Sequence, residues 1–312
     1  MAHLTPYAHA VFARQHGTAS VEQLLATGLS LREIRHLQRA GDIELVLRGA
    51  YRTPSAPITQ ESRSAAVCLA RPDVAISGPT AGRLWGLRRL PFDRRIHVIA
   101  PRASQPAAVR WVVPYRTDAR HDRDVIERDD GIRITSRART VFDLTRWLGP
   151  DDLLSVIEQV VHDGRLADDD LLAVAVDWLS PQRPWVRRFL HALDRRLPGG
   201  PAESHPEVRV ANALRSAGVH GLVRQHEIDL PGYGSARFDL AVPHLRWAVE
   251  VDLHPAHRES IGIASDRRRD HAAAAIGWST SRIDDDSYGH RFHETIADLA
   301  AFHARRSLSA AS

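Results

Sequence analysis

Arg237-Phe238-Asp239-Leu240-Ala241-Val242, followed by Trp247-Ala248-Val249-Glu250-Val251-Asp252, is the stretch on which the reading of this chain turns. Both segments are short, apolar and partly β-branched, the composition of buried strands. Pro243-His244 between them supplies a turn, so the pair reads as a hairpin that brings Asp239 close to Glu250. Glu250 and Asp252 stand two apart and therefore share one face of a strand. Carboxylates side by side repel, and burying them is costly unless a cation lies between them. Asp239, Glu250 and Asp252 converging in this way suit a hard, oxygen-seeking ion, Mg²⁺ or Mn²⁺. Such an ion activates water and stabilises charge on a phosphodiester. Acidic residues near strand ends also occur simply solvated or paired with arginine, so the surrounding pattern has to decide.

That pattern is an ordered series. Ser204-His205-Pro206-Glu207 opens a helix that runs to Ala213-Leu214-Arg215-Ser216-Ala217-Gly218, and Gln225 lies in a first strand. Arg237-Phe238-Asp239 and Glu250-Val251-Asp252 follow, then His257, Asp266-Arg267-Arg268-Arg269-Asp270 and Ile276-Gly277-Trp278. The series resembles the very-short-patch-repair (Vsr-like) endonucleases, within the restriction-endonuclease-like class that carries the PD-(D/E)xK motif. The resemblance covers about the last third of the chain and implies an α/β/α domain over residues 203–306. It also implies hydrolysis of phosphodiester bonds in DNA. In that reading Asp239 and Glu250 hold Mg²⁺, Asp252 completes the site, His257 handles a proton and Glu207 orients water or a metal-bound ligand. The chain contains no lysine, and Asp252 stands where the motif places one. The Vsr-like branch also lacks that lysine and uses histidines instead; His257, or else His254, fits the role because imidazole titrates near neutrality. Leu253 stands where many relatives have glycine or serine, a second departure.

The 312 residues suggest two or three domains, and the net charge of +4 favours an anionic partner without proving nucleic acid. The single cysteine, Cys68, sits in an apolar stretch and reads as a small buried hydrophobe; one cysteine fits a reducing compartment. No signal segment and no apolar run long enough to span a bilayer is evident, so the expectation is a cytoplasmic protein without a membrane partner.

Residues 1–53 read as a winged helix-turn-helix. Thr5-Pro6 starts a first helix that Gly17 ends; Ser20-Val21-Glu22-Gln23 and Ser30-Leu31-Arg32-Glu33 are capping boxes that start two more, stopped at Gly28 and Gly41. On the third, Leu31, Ile34 and Leu37 face one way, and Arg32, Arg35, His36 and Arg39 the other. A basic face there is what insertion into the major groove needs, so the expected partner is duplex DNA. Ile43 to Arg52 alternates like a hairpin turning at Arg48-Gly49, which would set Arg48 and Arg52 near phosphates. A small helical packing module with a solvated arginine face is the competing reading. Gly17-Thr18, Gln23-Leu24, Gly28-Leu29-Ser30 and Leu47-Arg48-Gly49-Ala50-Tyr51-Arg52 resemble the N-terminal domain of AbiEi-type antitoxins. That resemblance implies a DNA-binding autoregulator of a toxin–antitoxin system.

Residues 54–196 read as an α/β middle domain, and its Arg139-Thr140-Val141-Phe142-Asp143-Leu144 is similar to the region following the winged helix in AbiEi-like proteins. The resemblance implies a structural region, contacting a cognate toxin or a second copy. No catalytic set is visible in it; Thr140 and Asp143 read as a cap and a surface or packing residue. Arg83, Arg88, Arg89, Arg94 and Arg95 cluster there, either as a phosphate-binding surface or as a solvated face. Leu197-Pro198-Gly199-Gly200-Pro201 reads as the linker to the last domain, and the tail from Ser307 as disordered. The expected fold class is thus α+β and multidomain: winged helix-turn-helix, α/β middle domain, restriction-endonuclease-like α/β/α domain. The expected function is a metal-dependent DNA endonuclease targeted by its winged helix. The rival is a non-catalytic AbiEi-like transcriptional regulator or antitoxin that keeps only the nuclease fold.

Overall fold

The computed structural model describes residues 3–104, 109–117, 122–177, 184–253 and 260–310. The chain divides into two compact units, Met1–Leu148 with Asp168–Phe189, and Gly149–Ala167 with Leu190–Ser312. The winged helix is part of the first unit, and the segment after Leu148 joins the second.

In the first unit α1 (Pro6–Arg14), β1 (Thr18–Ser20), α2 (Val21–Ala26), α3 (Leu31–Ala40), β2 (Glu44–Leu47) and β3 (Ala50–Arg52) come first. The caps read from the sequence are present. Thr5 caps α1; Ser20 with Gln23 and Ser30 with Glu33 form reciprocal capping boxes; Gly41, at φ 83°, closes α3 in the left-handed region. The three strands form a small sheet in the order β1-β3-β2. The sequence showed the β2–β3 hairpin but not β1, which is only three residues long. Ala8, Phe12, Leu24, Ile34, Leu37 and Ile43 make the core of this part.

The rest of the unit holds α4 (Gln60–Ala70), β4 (Ala75–Ile76), α5 (Gly78–Leu84), β5 (Ile96–Ala100), β6 (Val112–Arg116), β7 (Val125–Glu127), β8 (Arg133–Thr135) and α6 (Arg137–Leu144). Its five strands run in the order β6-β5-β4-β8-β7. Cys68 of α4 lies in the core, and burial pushes its thiol up to about 11, so it is an inert hydrophobe. Thr140 and Asp143 are both buried. The reading of Asp143 as a surface or packing residue resolves to an interior ion pair. Its Oδ1 accepts from Arg139 Nε at 2.9 Å, and Arg139 Nη1 also donates to Asp124 Oδ2 at 2.8 Å. Burial raises the Asp143 pKa, with Arg139 opposing.

After α7 (Pro150–His162), α8 (Asp168–Asp177) and α9 (Pro184–Asp194), the second unit continues with α10 (His205–Ser216), β9 (Val223–Leu230), β10 (Gly234–Val242), β11 (Trp247–Val251), α11 (Ser260–Ala275), β12 (Ser279–Ile283), α12 (Asp285–Tyr288) and α13 (Phe292–Ala310). α7 belongs to this unit and α8 to the first, while α9 crosses the boundary between them. The strand order is β12-β11-β10-β9, with β9, β10 and β11 antiparallel and β11–β12 parallel. Alternation along β11 sends Trp247 and Val249 to a core shared with α10 and α13, and Ala248 to one shared with α11. The result is a three-layer α/β/α arrangement. One local expectation is corrected: α13 carries the chain in helix through Ser307 to Ala310, where a disordered tail was expected. Asp284 accepts the Ser287 N–H, which is what an N-cap does. Among the described residues no helix is long and apolar enough to cross a membrane.

Glu158 of α7 is fully buried, and it explains why α7 belongs here. Arg196 Nε donates to its Oε1 at 2.9 Å, Arg224 of β9 forms a second ion pair, and Ala202 N donates to Oε2 at 3.1 Å. Removing one member of a buried ion pair strands the others without water, which costs about 3–5 kcal/mol. Glu158→Ala should therefore destabilise the second unit by about that amount. Urea unfolding followed by tryptophan fluorescence checks this; an unchanged midpoint would refute the role given to Glu158.

Candidate functional site

β10 and β11 pair with Leu240 opposite Val249 and Ala241 opposite Ala248, so Asp239 faces Glu250 across the hairpin. The expected hairpin thus brings these two carboxylates together. Glu250 is buried and Asp239 half-buried. Val251 N donates to Asp239 Oδ2 at 2.9 Å. Glu250 Oε1 is buried, receives no hydrogen bond of good geometry among the described residues, and lies 3.2 Å from Arg269 Nη2 of α11. Burial holds both carboxyls above the usual range. In Glu250 the neighbouring Asp239 adds to burial and pushes it up to about 7.

The third carboxylate behaves otherwise. Asp252 follows β11 and is only half-buried, with Oδ2 4.0 Å from Arg282 Nη1. Among the described residues no three His, Cys, Asp or Glu side chains come close enough to hold a metal ion together. Asp239 and Glu250 thus face each other as a pair, and Asp252 lies half-buried just beyond the end of β11. His257 and His254 lie outside the described residues.

Glu207, at the third position of α10, is buried, and its pKa is raised by burial first. Its Oε2 accepts from Glu203 N and from Gln225 Nε2, both at 3.0 Å, and it is near enough to Asp239 for the two charges to repel. Gln225 stands opposite Asp239 in the β9–β10 register, at the one position skipped between the pairs Phe238–His226 and Leu240–Arg224. Its φ of 48° is left-handed, a strained geometry for a residue with a side chain.

The sequence series contains Arg269 and Gln225 without a role for either, and Arg282 lies outside it. Arg269 reaches Glu250 from α11. Arg282 sits beside Glu250 in the parallel β11–β12 register and binds Asp270 with both oxygens, at 3.0 and 2.9 Å. The Asp-Arg-Arg-Arg-Asp run was the signal for Arg269; Gln225 and Arg282 lie outside it. Trp278 stacks between His226 and Phe238, with ring centroids 5.3 and 5.5 Å apart, and walls this side of the sheet.

The second candidate surface is on the first unit. Arg32, Arg35, His36 and Arg39 of α3 are all exposed, while Ile34 and Leu37 are buried on the opposite face. Leu31, expected on the buried face, is 49% exposed because it occupies the first turn, beyond the core. Arg48 is exposed in the β2–β3 turn. Arg52, expected near phosphates, pairs with Glu44 at 2.6 Å and donates to Ala56 O at 3.0 Å, and so braces the wing.

Comparison with known proteins bears on this second surface. Residues 10–54 match a family model described as a transcriptional regulator, AbiEi antitoxin. A comparison with curated proteins finds no match. Among solved structures, the chain is similar to the RV2827C protein from Mycobacterium tuberculosis, at 15% identity and a TM-score of 0.40, over 68% of this chain and 83% of that one. The family match supports the AbiEi-type reading of the N-terminal winged helix and stops where the winged helix ends.

Proposed function

We propose that this chain is a DNA-binding regulator of the AbiEi antitoxin type that reads duplex DNA through α3. The observation that carries this is the exposed row Arg32, Arg35, His36 and Arg39 on a capped helix whose other face is buried. Arginine on such a helix forms paired hydrogen bonds to guanine or to phosphate, and Arg48 in the wing adds a backbone contact. The family's description implies a toxin partner, and the region after the winged helix would meet that toxin or a second copy of this chain. A base-reading arginine contributes about 1–3 kcal/mol. Arg35→Ala should therefore weaken binding to the duplex upstream of its own coding sequence by at least about fivefold, with unchanged thermal stability. Fluorescence anisotropy measures this, and equal binding by the variant would sink the reading.

A second activity is favoured by one specific feature, the opposed Asp239–Glu250 pair. Two facing carboxyls, one with a buried oxygen lacking a hydrogen bond and a pKa near 7, form a donor set that fits Mg²⁺ or Mn²⁺. Bound there, such an ion supplies an activated water and charge stabilisation for phosphodiester hydrolysis. Asp239 and Glu250 would hold it, Arg269 and Arg282 would balance charge on the phosphate of the substrate, and Gln225 with Glu207 would fix the orientation of the carboxyl pair. Asp252 and His257 remain members of this proposed site, as outer ligand and proton carrier. Nicking of supercoiled plasmid with Mn²⁺ by wild type, lost in Asp239→Ala and Glu250→Ala, is the expected result. Cleavage retained by Asp239→Ala would exclude this site.

The same pair predicts a pH dependence. A carboxyl raised in the folded state stabilises the fold below its ordinary value of 4.5, and that stability is lost as pH rises through about 7. In chelator, the wild-type melting temperature should fall between these pH values, whereas Glu250→Gln should show a flatter profile. Mn²⁺ should restore the loss in wild type only. Identical pH profiles for the two proteins would refute the strained pair.

A further inference from the structure

The first unit carries a second surface that the winged helix does not explain. The segment from Leu87 to Arg95 connects α5 to β5 and is held in one shape. Leu87 is buried, and Leu90 lies so close to Gly82 that a Cβ there would come within 2.9 Å of it. Arg83 spans the segment from below, donating to Pro91 O at 3.0 Å, to Asp93 O at 2.7 Å and to Gln60 Oε1 at 2.9 Å. Asp93 accepts from Arg95 N at 2.9 Å and from the Arg95 guanidinium at 2.8 Å, and lies 3.0 Å from His97 Nε2. Arg89 is held at φ 61°.

At the tip of this braced segment Phe92 is 86% exposed, the most exposed large apolar side chain among the described residues. The Arg94 guanidinium lies 5.6 Å from its ring centroid. Residues 88–95 hold four arginines and one carboxylate, and that carboxylate is already bound by Arg95. The segment also adjoins the wing. Arg63 of α4 lies 3.5 Å from Arg94 O and sits over Trp111. Arg63 and Trp111 line a groove of about 220 Å³ together with Glu44, Leu45 and Val46 of β2.

An aromatic side chain exposed on a rigid, positively charged turn is pre-organised for a polyanion that offers an apolar slot between its charges. Duplex DNA has this chemistry: apolar wedges enter between base steps while arginines hold the flanking phosphates. We propose that the Leu87–Arg95 segment is a second DNA-contacting element, in which Phe92 wedges at a base step and Arg94 binds a phosphate beside it. This rests on the duplex-binding reading of α3, whose failure must be seen separately.

The test is anisotropy with a fluorescein-labelled duplex from upstream of the coding sequence, over a series of salt concentrations, for wild type, Arg35→Ala, Phe92→Ala and Arg94→Ala. Stacking or wedging of one aromatic is worth about 1–3 kcal/mol, so Phe92→Ala should bind about five- to a hundredfold more weakly with an unchanged salt slope. Arg94→Ala should lower the slope of log affinity against log salt by about one. Both variants should melt as wild type does, because Phe92 is exposed and the Arg94 carbonyl is retained. If Arg35→Ala loses binding while Phe92→Ala and Arg94→Ala match wild type, the segment is not a DNA contact and the α3 reading stands. If wild type does not bind duplex, both readings fall. If Phe92→Ala and Arg94→Ala instead lose binding to an acidic protein partner and keep full binding to duplex, the proposal is overturned in favour of a protein surface.

Discussion

A charge taken out of water must be given a partner, and in the second unit Glu158 sets the terms. Its carboxylate has no access to solvent, and Arg196, Arg224 and the Ala202 N–H surround it. Arg224 pays for this with a pKa pulled down by burial, which Glu158 opposes. The arrangement binds α7, the turn through Ala202 and strand β9 into one body. It also reaches the candidate site, because Arg224 adjoins Gln225. With Arg224 held by Glu158, Gln225 is placed opposite Asp239 with a left-handed backbone and its amide on Glu207. Strain of this kind persists only where the surrounding structure over-determines it.

The first unit uses the same device for a different end. Arg139, buried to 1%, joins Asp124 ahead of β7 to Asp143 on its own helix, and so ties the edge of the five-stranded sheet to α6. Here both carboxylates are answered by one guanidinium, and nothing is left for a ligand. At Asp239 and Glu250 the balance is different. Two carboxyls face each other with one arginine at 3.2 Å from one of them, and Glu250 rises to about 7. Unequal compensation separates a structural ion pair from a candidate reactive one.

The chain therefore combines a basic helix displayed on a winged-helix frame with a carboxylate pair set in an α/β/α sandwich. The two make physical sense together if both act on a polyanion: one surface attracts phosphate by charge, and the other needs a cation before it can approach phosphate at all. Facing carboxylates repel phosphate, and on this face Arg269 lies 3.2 Å from Glu250. The Phe92 segment belongs to the attractive side of this division, with its one acidic group already bound by Arg95.

The sequence by itself determined the local elements. Capping boxes at Ser20 and Ser30, the glycine stop at Gly41 and the apolar alternation of Trp247 to Val251 are short-range signals, and each element formed where they placed it. The Asp239–Glu250 encounter was legible too, because a hairpin with a short turn fixes which residues face each other. What only the tertiary structure decided were the long-range pairings. Membership of α7 in the second unit depends on an ion pair between residues 158 and 224, for which neither residue's surroundings in sequence give a sign. The place of Arg282 beside Glu250 comes from a parallel strand pair joined through α11, and parallel register has no turn to announce it. The partners of Arg52 and Asp252 were settled in the same way, because which counter-charge lies nearest depends on the folded chain: Arg52 pairs with Glu44, and Asp252 Oδ2 lies 4.0 Å from Arg282 Nη1.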